Sequence, residues 1–288
     1  MSSRPAWMEL ARPGNVLIGG MTCALGGYIV GISEPAYISL SATIISVMSF
    51  MAAGNVVNDI VDRNIDSGAH PYRPIPSGRI SIEKAKILAA GCWAISVLCM
   101  VVSTVLIREE NPTWWGVPLI WSLAAVLMAT YDLGPQIKGR GISGNISISL
   151  LVGAVIIFGA AAVGGIGEIL VWLVAATAFF VNLGREIVKD CEDMQSDEGR
   201  NTFPMKVGVE NARMTAYVLA LAGLICAALP YYLSILPLQW LLLQTPALLL
   251  VITTNKALVS GEDEKAQKAL RKGLLMGLLG FAASVALT

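Results

Sequence analysis

The chain has 288 residues, 20 Lys+Arg against 20 Asp+Glu for a formal net charge of zero, and 55% hydrophobic against 14% charged residues. Its mean hydropathy is +0.68. These values exclude an ordinary soluble globular domain, whose charged fraction is about 25%, and make the bilayer the solvent. The absence of a basic helix or an aromatic-basic module excludes a nucleic-acid partner.

Nine apolar stretches near the ~20 residues that cross a bilayer follow one another, at residues 14–32, 36–57, 84–107, 114–132, 143–163, 167–188, 212–232, 236–254 and 270–287. Read as helices, they predict an all-α polytopic membrane protein with no room for a soluble domain. The first stretch has no small-residue cleavage site after it and reads as a span, not a removable signal. The second closes on GNVVNDIVDRNID (54–66), with three aspartates and three asparagines, followed by YRPIPSGR (72–79). The fourth ends in YDLGPQIK (131–138), and the sixth closes on REIVKDCEDMQSDEGR (185–200), followed by RNTFPMKVG (200–208).

Numbering the connections from a cytoplasmic N-terminus places 19 of the 20 Lys+Arg on the odd-side loops, and only Arg108 on the other. A bias this lopsided is what the positive-inside rule predicts for cytoplasmic loops, so both acidic blocks are expected to face the cytoplasm. The five cysteines (Cys23, Cys92, Cys99, Cys191, Cys226) are scattered in or beside spans and read as packing residues, not as a disulfide frame. His70, the only histidine, reads as structural.

Shifting the first acidic block by 131 positions lays Asn55, Asp59, Asp62 and Asp66 onto Glu186, Asp190, Asp193 and Asp197. The spacing i, i+4, i+7, i+11 keeps each set within one stripe of a helix, about 60° wide, with Asn58 near the edge of the first. The duplication predicts one domain over residues 1–288 made of two related halves, roughly 1–140 and 141–288. Carboxylates crowded at a membrane boundary repel one another unless cations sit between them. Oxygen donors without cysteine or histidine favour Mg²⁺, which shares its coordination with water and substrate phosphates. Arg73, Lys138, Arg140, Lys189 and Arg200 are placed to neutralise such phosphates, arginine by bidentate contact. No Ser-His-Asp or Cys-His set is evident, so covalent catalysis is not expected.

NDIVDRNID resembles the first aspartate-rich motif, NDxxDxxxD, of the UbiA superfamily of intramembrane prenyltransferases, and DCEDMQSD resembles the second. RPIPSGRIS is similar to the family's Arg-Pro-x-Pro-x-Gly segment, and LARPGN to the opening of its first helix. The resemblance covers all nine segments. It implies nine helices in a horseshoe around a central chamber, with two Mg²⁺ ions bridging the acids and an allylic diphosphate. Carried onto this chain, it makes Asn58, Asp62, Asp66, Asp190, Asp193 and Asp197 metal-site ligands, with Asp59 a further candidate at the edge of the stripe. Asp62, Asp66, Asp193 and Asp197 then carry catalysis together with Tyr131, facing the allylic carbon. Arg12, Asn55, Arg73, Lys138, Arg140, Lys189 and Arg200 form the substrate-binding set.

The second block is most similar to the branch of the family that makes archaeal ether lipids, where geranylgeranyl diphosphate alkylates geranylgeranylglyceryl phosphate and diphosphate is released. Ser196 stands where that branch has Gly and Phe203 where it has Leu, so an aromatic acceptor of the quinone pathways stays open. A cation-coupled transporter and a lipid-binding scaffold are the remaining alternatives, though transporter acids belong near mid-span and these cluster at one face. The expected partners are an isoprenyl diphosphate, a lipid-like acceptor and membrane lipid, with no obligate protein partner evident.

Overall fold

The computed structural model describes residues 5–33, 36–194 and 201–288. Twelve α-helices account for most of them: α1 (Ala6–Ala11), α2 (Pro13–Val30), α3 (Ala36–Val61), α4 (Arg63–Ala69), α5 (Ile82–Glu110), α6 (Gly116–Asp132), α7 (Ile142–Ala161), α8 (Ile169–Asp193), α9 (Phe203–Val207), α10 (Val209–Tyr232), α11 (Thr245–Val259) and α12 (Asp263–Ala286). The described residues contain no strand, only an isolated parallel bridge between Arg140 and Asn201. In a bilayer the backbone has no water to bond, and helices satisfy it within one segment, which is why the apolar runs take this form.

Among the described residues, eight segments are long and apolar enough to cross a membrane, and α6 is a shorter apolar helix of 17 residues. The span expected from residue 114 starts later because Asn111 Oδ1 accepts from Thr113 N at 2.8 Å and from Thr113 Oγ1 at 2.7 Å, holding a turn that delays the helix to Gly116. The stretch expected as one helix over 236–254 is a 3₁₀ turn, Leu238–Gln244, leading into α11. Pro246 sits in the first turn of α11, where its missing N–H costs nothing. Large apolar side chains stand exposed along the spans, among them Leu98 and Val105 on α5 and Ile225 on α10, as lipid contact requires.

The chain clusters into two compact units: residues 1–27, 31–135 and 158–166, and residues 28–30, 136–157 and 167–288. In the first, α3 packs along α5 on a polar seam. Ser39 Oγ meets Ser103 Oγ at 2.9 Å and donates to Ala162 O at 2.8 Å, Thr43 Oγ1 donates to Ser103 Oγ at 2.7 Å, and Ser46 Oγ donates to Ser96 O at 2.8 Å. Such hydroxyls join helices in an environment where apolar surface alone gives little drive to associate. Phe50, Trp93 and Trp121 form a mutual ring cluster, with centroids 4.9–6.0 Å apart, and Trp121 Nε1 donates to Ser96 Oγ at 2.9 Å.

In the second unit α8, α10, α11 and α12 bury Ile187, Ala212, Ala216, Val251, Ala266 and Leu270 against one another. Alanines on α10 face Gly184 of α8, where an added Cβ would lie 2.5 Å from Ala216 O. Arg213 of α10 donates to Asp263 of α12 through Nε at 2.8 Å and Nη2 at 2.5 Å. That pairing stabilises an acid at a helix N-terminus, where the macrodipole already favours it.

The closest approach to backbone in the first unit is at Gly159, where an added Cβ would lie 1.9 Å from Cys23 O. Gly159→Ala is expected to lower the thermal midpoint of the detergent-solubilised protein, by the ~1–3 kcal/mol typical of overpacking. Gly91→Ala, where a Cβ meets nothing within 4 Å, leaves the midpoint unchanged or raises it. Equal midpoints for the two variants would contradict the close packing.

Candidate active site

The first acidic block sits at the end of α3 and through α4. The expectation of one unbroken helical stripe is modified at Asp62, where α3 stops at Val61 and α4 begins at Arg63. The winding nevertheless continues: Asp62 N donates to Asn58 O at 2.9 Å and Asp66 N to Asp62 O at 2.9 Å. Asp59, Asp62 and Asp66 are 4%, 8% and 4% exposed. Buried carboxylates need cations or donors, and two arginines supply them. Arg73 forks onto Asp66, Nη1 lying 2.8 Å from Oδ1 and 2.7 Å from Oδ2, and its Nη1 is 4.0 Å from Asp59 Oδ1. Arg12 donates from Nη2 to the same Asp59 oxygen. The result is a ladder Arg12–Asp59–Arg73–Asp66, which draws Asp59 from the edge of the expected stripe into the centre of the cluster.

Local structure explains how each arginine reaches it. Arg12 occupies the left-handed region (φ 53°) between α1 and α2, a strained conformation for a residue with a side chain. Asn55 Nδ2 donates to Ala11 O at 3.0 Å and so clips that junction to α3, the contact that the structure assigns to this member of the expected substrate-binding set. Arg73 lies in the loop between α4 and α5. Gly78 (φ 74°) lets that loop turn, and Arg79 anchors it by donating to Glu9 of α1 at 2.8 and 3.0 Å and to Tyr72 O at 2.8 Å. The Glu9 bonds hold the Arg79 guanidinium above its ordinary pKa. His70 borders the cluster through its backbone, its N–H donating to Asp66 O at 2.8 Å and its carbonyl accepting from Arg73 N at 3.0 Å, while its ring meets Tyr72.

Asn58, expected among the metal ligands, donates from Nδ2 to Asp132 Oδ1 at 2.8 Å. Asp132 closes α6 at 1% exposure, directly after the partly buried Tyr131. The sequence reading passed over Asp132; the available signal was an acid that is the only charged residue in α6.

The second block is described within its own unit. Asp190 accepts from Asn145 Nδ2 of α7 at 3.0 Å; Lys189 Nζ lies 3.8 Å from Asp193 Oδ2 where both are half-exposed, and Glu186 pairs with Arg185. Asn145 was also passed over; it is 6% exposed and shares its face of α7 with Ser149, which accepts from Asn182 Nδ2 at 3.2 Å. Lys138 lies in a 3₁₀ turn that fits close against the start of α7 because Gly144 has no side chain: a Cβ there would lie 2.9 Å from Lys138 Cα. Arg140 is held by the bridge to Asn201, with Gly141 N donating to Asn201 O at 2.7 Å and Asn201 N to Gly139 O at 3.0 Å. The bridge fastens the loop carrying Lys138 and Arg140 to the segment that follows the second block. Asp197 and Arg200 lie outside the described residues.

Within its own unit, each acidic helix end is tied by an asparagine–aspartate bond to a neighbouring helix. The family model for UbiA prenyltransferases matches residues 20–284. The chain belongs to the UbiA prenyltransferase family. This prenyltransferase is 34% identical to the digeranylgeranylglyceryl phosphate synthase of Methanopyrus kandleri over 97% of this chain and 99% of that one, and 33% identical to the synthase of Methanosarcina mazei over 97% and 98%. A solved structure of digeranylgeranylglyceryl phosphate synthase in membranes matches with a TM-score of 0.75 at 28% identity over 98% of both chains. A UbiA homolog from Archaeoglobus fulgidus bound to GPP and Mg²⁺ shares the fold, with a TM-score of 0.64 at 16% identity over 98% of this chain and 100% of that one.

The ladder predicts strong coupling between its members. Arg73→Ala leaves Asp66 buried without its fork, whereas Arg73→Ala combined with Asp66→Asn removes the uncompensated charge. The double variant is therefore expected to be more stable than Arg73→Ala alone, with a coupling of about 0.5–3 kcal/mol in a double-mutant cycle of thermal unfolding. Strict additivity would show the pair to be energetically idle.

Proposed function

We propose that this membrane enzyme transfers the geranylgeranyl group of geranylgeranyl diphosphate to the free hydroxyl of geranylgeranylglyceryl phosphate, a step of archaeal ether-lipid synthesis. The observation that carries the reading is 34% identity over 97% of the chain to a synthase named for that product, with both aspartate blocks present in the sequence. Membership of the prenyltransferase family removes the transporter and scaffold alternatives.

The donor set suits Mg²⁺, because the blocks present carboxylate and amide oxygens. Among the described residues no three Asp, Glu, His or Cys side chains converge as a preformed cage. Mg²⁺ does not require one, since it keeps waters and shares its coordination with substrate phosphates. Asn58, Asp62, Asp66, Asp190, Asp193 and Asp197, with Asp59, are the residues that would hold two ions. The bound ions supply charge neutralisation of the departing diphosphate.

The chain's own residues do the rest. Arg12 and Arg73 are held against Asp59 and Asp66 with about a third of each side chain still exposed, so their guanidinium forks are placed to reach a phosphate oxygen while remaining beside the carboxylates. The allylic C–O bond breaks with its electrons leaving on the diphosphate. The acceptor's hydroxyl oxygen forms the new ether bond, and its proton passes to the released diphosphate. Tyr131, in the last turn of α6, faces the reacting carbon in this reading, and the apolar spans exclude the water that would otherwise capture the cation.

A glycerol-phosphate acceptor brings a second phosphate and a second isoprenoid tail. Lys138, Arg140, Lys189 and Arg200 are cations in excess of what the donor needs, and they favour that acceptor over a small aromatic acid, which requires one cation for its carboxylate. The charge bias supports an orientation with the N-terminus and both blocks in the cytoplasm. The repeated spacing supports two related halves.

Membranes containing the protein, incubated with limiting labelled geranylgeranyl diphosphate, Mg²⁺, and both geranylgeranylglyceryl phosphate and 4-hydroxybenzoate, are expected to prenylate the glycerol ether predominantly. Predominant prenylation of the benzoate would overturn the acceptor. Asp62→Ala and Asp193→Ala are each expected to lower transfer by at least 100-fold while the protein remains folded in membranes, as loss of a group that stabilises transition-state charge does. Full activity in either variant, or in excess chelator, would overturn the metal site.

A further inference from the structure

Asp132 is an expensive residue where it stands. It ends a helix of otherwise uncharged residues, it is 1% exposed, and it places an acid at the helix C-terminus, the end that the macrodipole makes unfavourable for anions. Nothing in α6 itself calls for it, since a polar uncharged residue would close the helix at lower cost. Its contact lies outside the helix, on Asn58 of the first block, Nδ2 to Oδ1 at 2.8 Å.

An asparagine side chain can offer either of two chemically opposite ends, and rotation by half a turn exchanges them. In the structure the Asp132 carboxylate oxygen Oδ1 is the acceptor and the Asn58 amide nitrogen the donor. Asp132 therefore selects the orientation in which the Asn58 nitrogen faces α6 and the carbonyl oxygen is turned away from it. Asp62, the residue between α3 and α4, lies one turn beyond Asn58, and its backbone N–H donates to the Asn58 main-chain carbonyl. In the reverse orientation Asn58 would turn a hydrogen-bond donor where a cation needs an oxygen.

We propose that Asp132 is a positioning residue for the first aspartate block, holding the Asn58 amide so that the block presents oxygen donors alone to a divalent cation and its diphosphate. The inference rests on the reading of that block as the metal–diphosphate site. It predicts that changing the partner of a metal-facing group weakens metal binding by about 10–100-fold, as loss of such supporting hydrogen bonds does elsewhere.

The test is Mn²⁺ binding in the presence of inorganic diphosphate, followed by electron paramagnetic resonance on the purified protein, with thermal midpoint measured alongside. Asp132→Asn keeps the size of the side chain but accepts or donates equally well, so the selection of orientation is lost. Its midpoint is expected to stay near that of the unaltered protein while Mn²⁺ affinity falls at least 10-fold. The swap Asn58→Asp with Asp132→Asn puts the carboxylate on position 58 and the amide opposite, restoring both the hydrogen bond and the oxygen, and is expected to recover binding. Unchanged affinity in Asp132→Asn overturns the proposal. Should that variant not fold, the swap decides, and a 10-fold weaker affinity there also overturns it. Failure of the unaltered protein to bind Mn²⁺ with diphosphate would instead overturn the metal-site reading, so the two failures are distinguishable.

Discussion

Taking a carboxylate out of water costs several kcal/mol unless a cation or an array of donors replaces the lost hydration. The first acidic block buries three of them within eight residues, Asp59, Asp62 and Asp66. Much of the surrounding architecture follows from that demand. Arg12 must reach Asp59, so the chain turns through a left-handed residue between α1 and α2 and Asn55 clips the turn. Arg73 must reach Asp66, so the loop after α4 is shaped by Gly78 and pinned to α1 through Arg79 and Glu9. The same cations that make the buried acids tolerable have the geometry to grip phosphate, which is why stability and the proposed chemistry draw on one set of residues.

Elsewhere the constraint is the solvent. Lipid leaves apolar surface little reason to prefer a neighbouring helix, so each unit supplies other adhesives. In one, serine and threonine hydroxyls bridge α3 and α5 beside the Phe50, Trp93 and Trp121 rings. In the other, Gly184 brings α8 against α10, and Arg213 is paired with Asp263 across α10 and α12. Packing of this kind holds each acidic helix end within its own unit, and binding of a charged ligand gains from such pre-organisation.

Each block is also tied sideways by a hydrogen bond between asparagine and aspartate, with the roles reversed. In the first the asparagine belongs to the block and the acid to α6; in the second the acid belongs to the block and the asparagine to α7. Both bonds reach an adjoining helix and fix a polar side chain that would otherwise have several orientations. Duplication of the blocks in sequence is thus accompanied by a similar support built from different residues.

The sequence by itself determined the helical spans, the carboxylate and amide stripe of each block and its repeated spacing, because hydropathy and helical period are short-range properties carried by neighbouring residues. Those signals weaken where competing local bonds act: the Asn111 turn shortens α6, and Pro246 begins α11 after a 3₁₀ turn. Only the tertiary structure decided the partners. Arg12 and Asp59 are 47 residues apart, Asn58 and Asp132 are 74 apart, and Asn145 and Asp190 are 45 apart. No spacing rule links such positions, so Asp132 and Asn145 escaped notice although Asp132 is the only charged residue of α6. Asp59 looked marginal for the same reason. Its position on the helical stripe was legible in the sequence, but the arginines that make it central come from a strained junction and a loop, and only packing of the helices brings those beside α3.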